Sequence, residues 1–107
     1  MTESILAGNP NIKGIFGSND NMALGAIEAL KAAAKLKDVM VVGYDANPDA
    51  ATSILAGEMT ASIAQAPKKI GGLGIQTLVD LKAGKQVPLV IDTGTVLVTK
   101  DNADQYK

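Results

Sequence analysis

The sequence contains no cysteine, no histidine and no tryptophan, and only one phenylalanine and two tyrosines. Without cysteine there is no disulfide and no thiolate chemistry. Without histidine the usual general base and the commonest metal ligand are missing. A zinc site or a Ser-His-Asp triad therefore cannot be built from this chain, and neither a metal nor an enzymatic reaction is expected. The scarcity of aromatic rings limits what the chain can stack on a ligand. Charge of one sign is not in excess, because ten basic side chains face eleven acidic ones, for a net charge of -1. That balance argues against an electrostatic grip on nucleic acid or on anionic lipid. No apolar run approaches the length of a membrane span. The opening "MTESILAGNPNIKG" lacks a basic start and a long apolar core, so no signal peptide is expected within it.

What is present is the composition of a globular protein. The 107 residues fit one small domain, and 47% hydrophobic with 20% charged residues sets the chain apart from disordered tails. No internal repeat, low-complexity tract or linker interrupts it.

Hydrophobic periodicity predicts alternating helices and strands. Thr2 to Leu6 reads as the tail of a helix stopped by Gly8, Asn9 and Pro10. "KGIFGS", Lys13 to Ser18, reads as a buried strand. Asn19 or Asp20 then caps a helix over about 21–35, with Ala23, Ile27 and Leu30 on its apolar face. "VMVVGY", Val39 to Tyr44, is apolar on both faces, which suits the middle of a parallel sheet. Asn47 caps the next helix and Pro48 takes its first position, where the missing N–H costs nothing; Gly57 ends it. Met59 to Gln65 is a third strand, Pro67 to Lys82 a further helix closed by Gly84, and Thr95 to Lys100 a last strand. Such alternation is the signature of a parallel sheet built from crossover units. Met22, Met40 and Met59 are expected in the core. Gly71 to Gly74 ("GGLG") lies inside a helix pattern and lacks the Lys-Ser/Thr of a phosphate loop, so close helix packing is its expected use.

In open parallel sheets, ligands bind beyond the carboxyl ends of the strands. Here the first strand runs into Asn19 (with Asp20 beside it), the second into Asp45 and the third into Gln65. Asn19, Asp20 and Asn47 are also ordinary cap residues, and aspartate is common in turns. Gln65 is not a preferred cap and precedes Ala66-Pro67. Two amides and a carboxylate together match the donor and acceptor pattern of sugar hydroxyls. None of the three is a nucleophile with a base, so they point to binding.

"GIFGSNDNMALGAIEALKAA", "VMVVGYDANPDA" and "MTASIAQAPKKIGGLG", in this order and spacing, resemble the C-terminal part of ribose- and galactose-type sugar-binding proteins. Those are the receptors of bacterial ABC sugar importers, of the periplasmic-binding-protein type. The ending "VIDTGTVLVTKDNADQY" resembles theirs as well. The resemblance implies an α/β fold, a three-layer sandwich with a mainly parallel sheet, present here as a partial lobe. Residues 66–92 would match a segment that crosses to the other lobe of such a receptor. It further implies a monosaccharide ligand held between two lobes, a membrane permease as partner, a periplasmic or extracytoplasmic location and no cofactor. Asn19, Asp45 and Gln65 fall on positions that contact sugar hydroxyls in ribose-type members. The apolar stripe Ile70, Leu73, Leu78 and Leu81 would then need cover, either by folding back on the sheet or by pairing with a second copy.

Effector domains of lactose-repressor-type regulators share this fold and are the alternative. Their matching segments read V-G-F-D-D and T-T-V-x-Q-P, whereas Asp45 here is followed by Ala46 and the later strand reads "TASIAQAP". A receiver-like signalling module would need an acidic cluster with Lys and Thr at strand ends, and only Asp20 and Asp45 meet that need.

Overall fold

Two of the helices, those that open with Asp20 and Pro48, begin at side-chain caps that the sequence predicts. The computed structural model describes all 107 residues. In chain order they form α1 (Thr2–Gly8), β1 (Gly14–Phe16), α2 (Asp20–Ala32), β2 (Met40–Tyr44), α3 (Pro48–Leu55), β3 (Ala61–Ala64), α4 (Pro67–Lys82) and β4 (Val96–Val98). Two 3-10 turns, Leu36–Asp38 and Ala103–Tyr106, were not anticipated by the hydrophobic pattern. No helix is long and apolar enough to cross a membrane.

The α2 cap is Asn19, whose side-chain oxygen accepts from the Met22 N–H at 2.9 Å. Asp20 is the first helical residue. Asn47 caps α3 in the same way, accepting from Ala50 N–H at 2.8 Å, and Pro48 follows at the first helical position. These side chains satisfy backbone donors that a helix cannot satisfy itself.

The chain divides into two units, Met1–Ala64 with Val96–Lys107, and Gln65–Thr95. The first holds a four-stranded sheet in the order β1-β2-β3-β4. β1, β2 and β3 are parallel, as predicted, with Ile15 opposite Val41 and Gly43 opposite Ser62. β4 is the one antiparallel member of this mainly parallel sheet: it pairs with β3, with Ala64 opposite Val96. The chain re-enters the sheet at the edge where β3 left it, so no crossover carries it back to the other end.

Successive residues of a strand point to opposite faces. Val41, Ser62 and Val98 share the face that carries the core with Ala23, Ile27, Leu30, Ala50, Ala51, Ile54 and Met59. The opposite face of this unit leaves Phe16, Met40 and Leu97 exposed. Of the three methionines expected in the core, only Met59 is there. Met40 is 62% exposed because alternation turns it away from Val41, and Met22 is 60% exposed on the outer side of α2.

In the second unit α4 buries no residue. Its bounds are those the pattern predicts, from Pro67 to Lys82, with Gly84 at φ 76° just beyond. Asp80 accepts from Gln76 and pairs with Lys85 at 2.8 Å, and Lys69 Nζ donates to Thr93 O at 3.2 Å. Of the stripe Ile70, Leu73, Leu78 and Leu81, the residues Ile70, Leu78 and Leu81 are exposed in the single chain. Close packing at the glycines is not found. A Cβ added at Gly71, Gly72 or Gly74 would meet nothing within 4 Å.

Candidate functional site

Two of the three residues singled out from strand ends lie in the first unit, at the same edge of the sheet. Asp45 directly follows β2, and Asn19 stands three residues beyond β1, at the head of α2. Because β1 and β2 are parallel, both stand at carboxyl ends. Gln65 directly follows β3 and is the first residue of the second unit.

Asp45 is exposed, at the start of a turn of unusual conformation. Its φ is 106° and that of Ala46 is 53°. Side chains other than glycine rarely occupy this region, and each such residue costs about 1–3 kcal/mol unless its surroundings enforce it. The surroundings here are specific. Asp45 N–H donates to Ile63 O of β3 at 2.8 Å. Ala46 N–H donates to Ser62 Oγ at 3.1 Å, and Asn47 N–H donates to Asp20 Oδ2 at 2.7 Å. Ser62 in turn donates its hydroxyl proton to Asp20 Oδ1 at 2.6 Å. Three consecutive amides of the turn are thus tied to β3 or to α2.

Asn19 commits its carbonyl oxygen to the α2 cap, so its two Nδ2 protons are what it can offer to a ligand. The cap reading of Asn19 is correct, and it leaves the binding reading open. Asp45 is an acceptor, suited to hydroxyl protons. A concavity of about 800 Å³ between α1, β1 and α2 is lined by Ser18 and Met22 but not by Asn19 or Asp45.

Asp20 and Ser62 have a larger structural part than the sequence suggested. Both are fully buried. One signal was available: a serine inside an otherwise apolar strand needs a buried partner, and a carboxylate supplies one. Gly43 makes the room. A Cβ there would lie 2.2 Å from Asp20 Oδ1.

A mainly parallel sheet with helices between its strands places the chain in the α/β class. The chain belongs to the periplasmic binding protein family, whose domain model matches residues 1–86. It is 46% identical over 90 residues to the D-allose-binding periplasmic protein of Escherichia coli K12, covering 83% of this chain and 29% of that one. It is 40% identical over 100 residues to the ribose import binding protein RbsB of Bacillus subtilis 168, covering 94% of this chain and 32% of the relative. Among solved structures it is similar to an ABC transporter periplasmic solute binding protein of Actinobacillus succinogenes 130z with bound D-allose. There the TM-score is 0.84 at 38% identity, covering 98% of this chain and 37% of that one. A solute binding protein of Agrobacterium vitis with bound D-fucose matches with a TM-score of 0.81 at 38% identity, over 97% and 36%. The chain spans about a third of the length of these relatives. The family is one of solute-binding proteins, which favours the transport reading over the repressor alternative.

Proposed function

We propose that this chain is part of the sugar-binding component of a bacterial ABC importer, and that it contributes Asn19, Asp45 and Gln65 to the grip on a monosaccharide. The observation that carries this reading is Asp45: an exposed carboxylate on a turn pinned by its own backbone to β3, at the carboxyl edge of the sheet. A carboxylate accepts two hydroxyl protons, and amide groups complement neighbouring hydroxyls. The chemistry is reversible hydrogen bonding, with no reaction and no cofactor. The relatives support a pentose or hexose as ligand, since their names and bound ligands include ribose, D-allose and D-fucose. In a complete receptor, closure of two lobes would bury the sugar and present a surface to the membrane permease, outside the cytoplasm. Residues 66–92 would belong to a segment passing between those lobes.

This chain alone holds only part of such a pocket. Most of a ligand's surface must be buried for tight binding, so its affinity should be weak. The test is isothermal titration of ribose, allose, galactose, glucose and xylose into the chain, repeated with Asp45→Ala. Binding of one sugar that Asp45→Ala abolishes is the expected result. An unchanged dissociation constant in that variant would remove Asp45 from the site.

A further inference from the structure

The geometry points to Asp20 as the positioning residue of the Asp45 turn. Its functional meaning rests on the sugar-binding reading of Asp45; its structural meaning does not.

Asp45 and Ala46 both take positive φ, so the turn must be held by contacts from outside it. Of the three amides that hold it, only Asp45 N–H uses a backbone acceptor. The other two depend on Asp20. Asn47 N–H binds Oδ2 directly. Ala46 N–H binds Ser62 Oγ, and the orientation of that hydroxyl is set by Asp20 Oδ1. An ionised carboxylate only accepts, so Ser62 must donate to it. That leaves the lone pairs of Oγ for the Ala46 N–H. An asparagine at position 20 cannot accept from both partners, because one of its two side-chain ends is a donor. Turned one way it faces the Asn47 N–H with its NH2. Turned the other way it offers that NH2 to Ser62, whose hydroxyl must then point elsewhere.

Asp20 also follows Asn19, whose side chain caps the helix that Asp20 begins. One buried carboxylate therefore ties the head of α2, the turn after β2 and the middle of β3 together. Asn19 and Asp45 are held in fixed register by a residue that is itself fully buried. Gly43 serves the same arrangement, since any side chain there would displace Oδ1.

The test is amide hydrogen exchange on the full 107-residue chain, comparing the wild type with Asp20→Asn and Ser62→Ala. In Asp20→Asn the informative amide is Ala46, whose own acceptor Ser62 is untouched. It should exchange at least tenfold faster, beyond any change at Leu30 and Val42. In Ser62→Ala the informative amide is Asn47, whose acceptor Asp20 remains, and the same excess is expected. Equal acceleration across turn and core, or none in the turn, would overturn the proposal and leave Asp20 a general core residue. Should Asp20→Asn not fold, Ser62→Ala still decides. Titration with D-allose and D-ribose forms a separate arm. If the wild type binds, the dissociation constant of Asp20→Asn should rise tenfold or more, and an unchanged constant would overturn the positioning role. If the wild type binds neither sugar, the part of the pocket in this chain does not suffice for binding, and the exchange result alone decides for or against Asp20.

Discussion

The hydroxyl of Ser62 in β3 donates to Oδ1 of Asp20 at the head of α2 over 2.6 Å, and both side chains are fully buried. The two residues are 42 positions apart in sequence. They join the parallel strands to the helix layer at the one edge of the sheet where binding is proposed. A buried polar pair of this kind stabilises only while every partner is present.

Replacing Asp20 with alanine strands one buried donor, the Ser62 hydroxyl, and one part-buried donor, the Asn47 N–H. Each buried group left without a partner costs about 1–3 kcal/mol, so a loss of about 3 kcal/mol is expected. Urea unfolding at neutral pH reads it directly. A change below about 1 kcal/mol would mean that the network is energetically slack.

The glycines divide into two groups with opposite signs. A Cβ at Gly17 would lie 2.7 Å from the Ala23 backbone nitrogen, and one at Gly43 would meet Asp20 Oδ1. Alanine at either site should destabilise by about 1–3 kcal/mol, as overpacking does. Gly25 lies inside α2 with nothing within 4 Å of its Cβ position. Alanine there should stabilise by about 0.5–1 kcal/mol through helix propensity. Thermal melts of the three variants test the contrast, and a gain at Gly43 would contradict the close approach.

Lys31 predicts an alkaline step in stability. Hydrogen bonds to Glu58 first, then to Glu28, raise its pKa above the ordinary 10.5. The ammonium lies 2.9 Å from both carboxylates, linking α2 to the turn after α3. A group whose folded pKa is raised contributes stability that is fully present below its unfolded pKa. The contribution disappears as pH rises through the folded value. Urea midpoints should therefore fall above about pH 10.5, the ordinary lysine range. In Lys31→Met this part of the fall should be absent. The pair is exposed and screened, so the effect should be small and salt-sensitive.

The outer face of α4 predicts self-association. Ile75, Leu78, Val79 and Leu81 are all more than half exposed on one helix. Exposed apolar surface of this kind marks an interaction site, and a second copy is the occupant available to the isolated chain. Sedimentation equilibrium should find dimers that Leu78→Lys returns to monomers. A monomer at all concentrations would leave the stripe for other parts of a receptor.

Much of the secondary structure of both units was legible in the sequence because local rules suffice for it. Pro67 and Gly84 bracket α4, Asn47-Pro48 opens α3, and the apolar run before Tyr44 forms β2. The strand-end positions of Asn19, Asp45 and Gln65 followed from the same alternation. The exposure of Met22 and Met40 did not, because composition says a methionine is apolar but only the pleat and the helix phase say which way it points. The open surroundings of Gly71, Gly72 and Gly74 were hidden for a related reason. Glycine permits a close neighbour without requiring one.

By itself the sequence determined where most helices and strands begin and that they alternate into a mainly parallel sheet. These depend on periodicity, caps and side-chain type, all of which act within a few residues. Only the tertiary structure decided that β4 runs antiparallel, that Asp45 and Ala46 take positive φ, and that Asp20 is shared between Ser62 and Asn47. Those features depend on which residues, tens of positions apart, are brought to hydrogen-bonding distance. No local pattern records that distance, because it is set by the packing of α2 against the sheet.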